Sequence, residues 1–262
     1  MYASFSPSPD FQLGSFSIGY YGLIIALSIL LSYNIATRIA KYRGLDKDFI
    51  FLVTIVTVPI AIVGARFLHV VLNSSQYSFY EAIAFWEGWA GLAIYGALIF
   101  GGLAILTVCY IKKVNFFKML DVAVPVFLLA HALGRWGNFF NSELYGRAVD
   151  FDFFPLTVFI EGTGQNHLAL FFYEFVLNLI GFFVLLKILK KSNKVGIVVA
   201  TYAIWYGTVR LIMEPMRMEQ FHPQGSINMF VVISVLLIVA GLSYFAYMFW
   251  YKSKKMNDNG NE

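Results

Sequence analysis

Seven apolar stretches of helical length divide this chain: Ile18–Thr37, Phe49–Leu72, Trp89–Ile111, Met119–Phe140, His167–Leu186, Val195–Met213 and Ile227–Trp250. Each is close to the roughly 20 residues that cross the hydrocarbon layer as a helix. Only helices and closed barrels satisfy their backbone polar groups in lipid, and runs this long are helical. The pattern predicts an all-α integral membrane protein with about seven transmembrane helices and a loop region on the outer side. Asp121, Pro125, His131 and Arg135 interrupt the stretch from Met119 to Phe140, so that span is expected to bend or to stop short of the far surface. The longest connection, 141–166, carries Glu143, Arg147, Asp150, Asp152 and Glu161. The connection Asn73–Gly88 holds Tyr77, Phe79, Tyr80, Phe85 and Trp86. These suit either an aromatic belt at headgroup depth or an interfacial helix that gates lipid entry.

Charge sets the expected orientation. The lysines are Lys41, Lys47, Lys112, Lys113, Lys118, Lys187, Lys190, Lys191, Lys194, Lys252, Lys254 and Lys255, and all fall on alternate connections. Arg38 and Arg43 join the first group, whereas the opposite connections hold only Arg147 and Arg217. The positive-inside rule makes the lysine side cytoplasmic. The amino terminus is then outside and the carboxyl terminus inside. Residues 1–250 read as one polytopic domain and 251–262 as a cytoplasmic polar tail. Hydrophobic residues make up 59% of the chain and charged residues 13%, against about 45–50% and about 25% in soluble domains. Flanking lysines explain the net charge of +4, so it implies no nucleic-acid partner. The first span lacks a basic n-region and a small-residue cleavage site, and reads as a retained span. The single Cys109 lies in an apolar run and reads as small core filler.

The polar residues inside these apolar surroundings are the informative ones. HALGRWGNFFNSELYGR places His131, Arg135, Asn138, Asn141, Glu143 and Arg147 within seventeen residues. An arginine at bilayer depth costs at least about 2.5–3.5 kcal/mol, so such groups are rare and usually functional. On a helix, His131, Arg135 and Asn138 fall at i, i+4 and i+7 and share one face. Gly134 and Gly137 lie on other sides and allow close approach of a neighbouring helix. In YGTVRLIMEPMR, Arg210 and Glu214 are four apart and can pair. Arg217 lies one turn further only if the helix continues, and Pro215 argues against that. Tyr21 begins the first span, Arg66 sits in GARFLHV near His69, and Gly91, Tyr95, Gly96 and Gly102 open the third span. All of these lie toward the outer half of the membrane. Arginine's planar fork of donors matches phosphate oxygens, so an anion is the expected ligand.

GRWGNFFNSELYGR resembles the signature of bacterial prolipoprotein diacylglyceryl transferases. YYGL, GARFLHV, GGLAIYGALIFG, HLALFFYE and YGTVRLIMEPMR occur in that family's order, so the resemblance runs along nearly the whole chain. It implies transfer of the diacylglyceryl group from phosphatidylglycerol to the lipobox cysteine of a prolipoprotein signal peptide. A thioether forms and glycerol phosphate leaves, with no metal or other cofactor. It also implies that Arg135, Asn138, Glu143 and Gly146 are functional, that Arg210 and Glu214 form an essential pair, and that Tyr21 is the family's tyrosine in the first span. Many members carry histidine where Tyr95 stands, and the segment around His167 lacks a proline common in the family. The expected catalytic set is Arg135, Arg210, Tyr95, Glu143 and Glu214. The expected substrate-binding set is Tyr21, Arg66, His131, Asn138, Asn141, Gly146 and Arg147. Tyr95, His131 and water stay open as acceptors of the thiol proton.

The rival expectation is a transporter or channel for a small anion, using the same arginines. Against it, no inverted repeat is visible, and the polar groups cluster on one side. An assembly protein would not need so many costly polar groups. An intramembrane protease is disfavoured because neither a nucleophile motif nor a paired-aspartate motif is present.

Overall fold

A computed structural model describes residues 8–14, 16–77, 92–218 and 228–259. Its elements are β1 (Asp10–Leu13), β2 (Phe16–Gly19), α1 (Tyr20–Ile39), α2 (Lys47–Leu72), α3 (Ile94–Ile111), α4 (Phe116–Phe140), β3 (Thr157–Ile160), β4 (Gln165–Leu168), α5 (Leu170–Lys191), α6 (Ile197–Met213) and α7 (Met229–Asn259). Single 3-10 turns extend α1 over Ala40–Arg43 and α6 over Glu214–Met216. Among the described residues, seven helices are long and apolar enough to cross a membrane. The expected all-α membrane fold is what the chain adopts.

The spans differ from expectation at their ends, for local reasons. The first begins at Tyr20, because Phe16–Gly19 pairs with Asp10–Leu13 in an antiparallel hairpin. Asp46 caps α2 by accepting from the Phe49 N–H at 2.6 Å. The fourth span is one 25-residue helix, α4, with Pro125 in its interior, and it is long and apolar enough to cross a membrane. The fifth begins at Leu170 and not at His167: the segment Gln165–Leu168 is taken up in a hairpin with Thr157–Ile160. Trp89–Gly91, Phe79, Tyr80, Phe85, Trp86 and Ile227 lie outside the described residues. So does any interfacial helix there.

Contacts sort the chain into two compact units, Ala36–Met119 and Met1–Ile35 with Leu120–Glu262. In Ala36–Met119, α2 and α3 approach backbone to backbone. A Cβ on Gly96 would strike the Gly64 carbonyl, and a Cβ on Gly64 would strike the Phe100 ring. The Ala93 N–H donates to the Ala65 carbonyl at 3.0 Å, joining the start of α3 to α2. Small residues at helix interfaces replace the hydrophobic driving force that lipid does not supply.

In the larger unit the same device recurs between α6 and α7. There Gly207 faces the Ser234 carbonyl and Gly241 faces the Ala200 carbonyl. Trp205 covers Gly181 of α5 and donates its indole N–H to the Leu177 carbonyl at 3.2 Å. At the lysine-bearing end, fully buried Asp121 of α4 accepts from the N–H groups of Gly196, Val198 and Val199 at 2.8, 3.1 and 3.1 Å. It thereby caps α6, whose first N–H groups have no partner within the helix. At the opposite end, Trp136, Phe139 and Phe171 pack together beneath Val158 and Ile160. This cluster seats the β3–β4 hairpin on the ends of α4 and α5.

Candidate active site

The candidate site is built at the lysine-free ends of α4, α5 and α6. The end of α4 is a left-handed cap. The Ser142 N–H donates to the Phe139 carbonyl and the Glu143 N–H to the Asn138 carbonyl, both at 3.0 Å, with Ser142 at φ 50. This pattern of 5→2 and 6→1 bonds is a Schellman motif, and it turns Glu143 back onto its own helix. Asn138 Nδ2 donates to Glu143 Oε1 at 2.8 Å, and Asn138 Oδ1 accepts from Arg135 Nη1 at 3.1 Å. The chain Arg135–Asn138–Glu143 therefore follows from helix spacing plus one cap.

Arg135 is then tied to α5. Its Nε lies 2.9 Å from Glu174 Oε2, while Arg217 Nη2 donates to Glu174 Oε1 at 3.1 Å. One buried carboxylate thus holds two guanidinium groups. Arg210, in the last turn of α6 where the helix dipole favours a cation, donates Nη2 to Glu214 Oε2 at 2.8 Å. Its guanidinium lies 4.8 Å above the Phe230 ring. Glu214 Oε1 accepts from Asn228 Nδ2 at 2.9 Å, and Glu214 Oε2 lies 3.8 Å from Arg217 Nε. Glu143, Asn138, Arg135, Glu174, Arg217, Glu214, Arg210 and Asn228 form one continuous network.

Arg217 reaches this network because α6 ends. Beyond the 3-10 turn at Glu214–Met216 the backbone of Arg217 is extended, at φ −72 and ψ 152. Gly146 and Arg217 form a β-bridge, and the Arg147 N–H donates to the Met216 carbonyl at 3.1 Å. A Cβ on Gly146 would lie 2.7 Å from Leu168 Cβ and 2.8 Å from the Met216 carbonyl, so the junction closes only around glycine. His167 is fully buried behind it, with Nδ1 2.8 Å from the Gly146 carbonyl and Nε2 2.8 Å from Thr163 Oγ1. Burial lowers the pKa of the Arg217 guanidinium from its ordinary value, and Glu174 opposes that shift.

Of the residues singled out in the sequence, Arg135, Asn138, Glu143, Arg210 and Glu214 come together. Tyr21 stands beside them, its ring packed on Gly137. His131 is one turn from Arg135, with its ring 4.2 Å from Phe127 and 5.3 Å from Tyr206. Asn141 and Arg147 are exposed at the rim, and Gly146 is buried in the junction. Arg66 and Tyr95 belong to the other unit. There Arg66 lies 5.0 Å from the Tyr77 ring, Tyr77 bonds His69 at 2.9 Å, and Tyr95 is exposed.

The model of the prolipoprotein diacylglyceryl transferase family matches residues 10–247. The chain belongs to that family. Phosphatidylglycerol–prolipoprotein diacylglyceryl transferases of three Streptococcus pyogenes strains are similar to it: Manfredo of serotype M5, NZ131 of serotype M49, and a serotype M1 strain. Each is 38% identical over 242 residues, covering 89% of this chain and 92% of the relative. This member of the prolipoprotein diacylglyceryl transferase family is accordingly a multi-pass membrane transferase, and the anion-transporter reading is not favoured.

Three members of the network were not among the expected site residues: Glu174, Arg217 and Asn228. Glu174 carries a signal that the argument applied to arginine would have caught, a lone acid four residues into an apolar span. Arg217 was set apart by Pro215, which does end the helix but sends the arginine inward. Asn228 adjoins residues 219–227, which lie outside the described part, and had no local signal.

Proposed function

We propose that this chain transfers the diacylglyceryl group of phosphatidylglycerol to the lipobox cysteine thiol of a prolipoprotein. The sulfur forms a bond to the glyceryl carbon that bore the phosphate, the carbon–oxygen bond breaks, and glycerol phosphate leaves. The observation that carries this is the gathering of Arg135, Arg210 and Arg217 around two buried carboxylates, Glu174 and Glu214. Preorganised donors of this kind stabilise charge growing on a leaving phosphate.

Arg135 is the most open of the three. Its side chain is 17% exposed, against 6% for Arg210 and 5% for Arg217. It is suited to meet the phosphate directly, with Arg210 beside it. Glu214 orients Arg210, Asn138 and Glu143 orient Arg135, and Glu174 fixes Arg135 and Arg217 together. A thiol becomes a thiolate more readily in a guanidinium field. Tyr21, Asn141, Gly146, Arg147 and Arg66 complete the proposed lipid- and peptide-binding set. Tyr95, His131 and water are the candidate acceptors of the thiol proton. The site faces outward, the lysine-bearing connections and the 251–262 tail are cytoplasmic, and the seven spans form one polytopic domain in the bacterial cytoplasmic membrane. Phosphatidylglycerol comes from the outer leaflet, and no nucleic acid is involved.

The test is to incubate the purified protein with phosphatidylglycerol and a synthetic lipobox peptide. Mass spectrometry should find diacylglyceryl on the peptide cysteine, with glycerol phosphate released. Unmodified peptide from a folded, lipid-supplied sample would refute the proposal.

A further inference from the structure

The two ring nitrogens of His131 are placed differently from each other. Nδ1 is sealed from solvent with no hydrogen-bond partner among the described residues, and Nε2 is not sealed in this way. Phe127 and Tyr206 cover the ring. The charged groups whose fields reach it are Arg135 on its own helix, Glu174 on α5 and Arg210 on α6.

The sealed nitrogen decides which proton the imidazole carries. A neutral histidine bears its single proton on one nitrogen, and the surroundings of the other select the tautomer. A buried N–H without an acceptor is rarer and more costly than a buried acceptor without a donor. The favoured form therefore has a bare Nδ1 and a proton on Nε2. To take a proton at Nε2, the ring would need either the opposite tautomer or the doubly protonated form. Both put an N–H at Nδ1, for which the described residues supply no hydrogen-bond acceptor.

We propose that His131 binds the lipid headgroup as a neutral hydrogen-bond donor through Nε2–H, and that the thiol proton goes to another acceptor. This rests on the transferase reading above and narrows its chemistry. His131 shares a helix face with Arg135 one turn away, so an oxygen of a phosphate held by Arg135 is the group this donor meets. The headgroup then faces an array of donors, one of them uncharged. Tyr95 and water are left as acceptors of the thiol proton.

Two measurements test this. Steady-state transfer with phosphatidylglycerol and a lipobox peptide is compared for the native protein, His131→Gln and His131→Phe. Glutamine keeps an N–H donor at the end of its side chain and has no basic nitrogen. It should bring KM for phosphatidylglycerol back toward the native value, while phenylalanine raises that KM about 3- to 10-fold. A loss of about 100-fold or more in kcat for His131→Gln, the size expected for a missing general base, would overturn the proposal. So would an unchanged KM in His131→Phe. The second measurement needs no variant. Nitrogen-15 NMR of the native protein labelled at its four histidines should show His131 neutral with the proton on Nε2 between pH 6 and 9. A proton on Nδ1 in that range would refute it. A native protein that binds lipid but transfers nothing would sink the transferase reading, and the NMR result would still judge the tautomer.

Discussion

The two ends of α6 each hold buried charge, and they do so in opposite ways. At the lysine-bearing end, Asp121 takes three backbone N–H groups. Those donors exist wherever a helix starts, and one carboxylate satisfies them. At the other end, Arg135, Arg210 and Arg217 meet Glu174 and Glu214 side chain to side chain. Three guanidinium groups face two buried carboxylates, and a guanidinium has five N–H donors. The first arrangement closes on itself. The second leaves donors over, and Arg135 keeps part of its surface open. A buried charge in a membrane protein is thus not functional by cost alone; what separates the two clusters is whether the protein's own groups exhaust it.

The sharpest way to break this comparison is to remove an arginine. Arg210→Ala or Arg135→Ala should lower kcat by about 1,000-fold or more while the protein stays folded, as loss of charge stabilisation at a leaving group does. Near-normal transfer by either variant, measured by peptide modification, would end the account. Glu174→Gln comes next. It leaves Arg135 and Arg217 without their shared carboxylate, at a stability cost of about 3–5 kcal/mol typical of a broken buried pair. The folded fraction should show kcat/KM for phosphatidylglycerol down by about 100-fold. An unaffected kcat/KM would mean that Glu174 only fills space.

Asp121→Asn probes the closed cluster. It should cost about 1–3 kcal/mol of stability, as one acceptor oxygen becomes a donor facing backbone N–H groups. The kcat of the folded fraction should be unchanged. A fall in kcat with stability intact would erase the distinction between the two ends. The smallest effect is expected from Asn228→Ala, which removes one neutral donor from Glu214 Oε1. About 1 kcal/mol, or roughly a fivefold loss in kcat/KM, is appropriate to a single hydrogen bond to a group with other partners. A loss as large as that of Arg210→Ala would mean that Asn228 itself touches substrate.

Much of this protein is legible along the chain. Length and apolarity mark the seven spans because lipid admits almost no other backbone solution. Lysine spacing separates the two sides. The i, i+4 and i+3 relations put Arg210 with Glu214 and Arg135 with Asn138, since helical periodicity is local. Tertiary structure alone decided the rest. Glu174 meets Arg135 and Arg217 across 39 and 43 positions of sequence, and no local period encodes such a pair. Pro215 signals that α6 ends but not that Arg217 then turns inward to bridge Gly146. Asp121 looks like an interruption of its own helix, and only packing reveals it as the cap of another. In each case the residue's meaning is set by a partner on a different element, and that partner is chosen by how the helices meet.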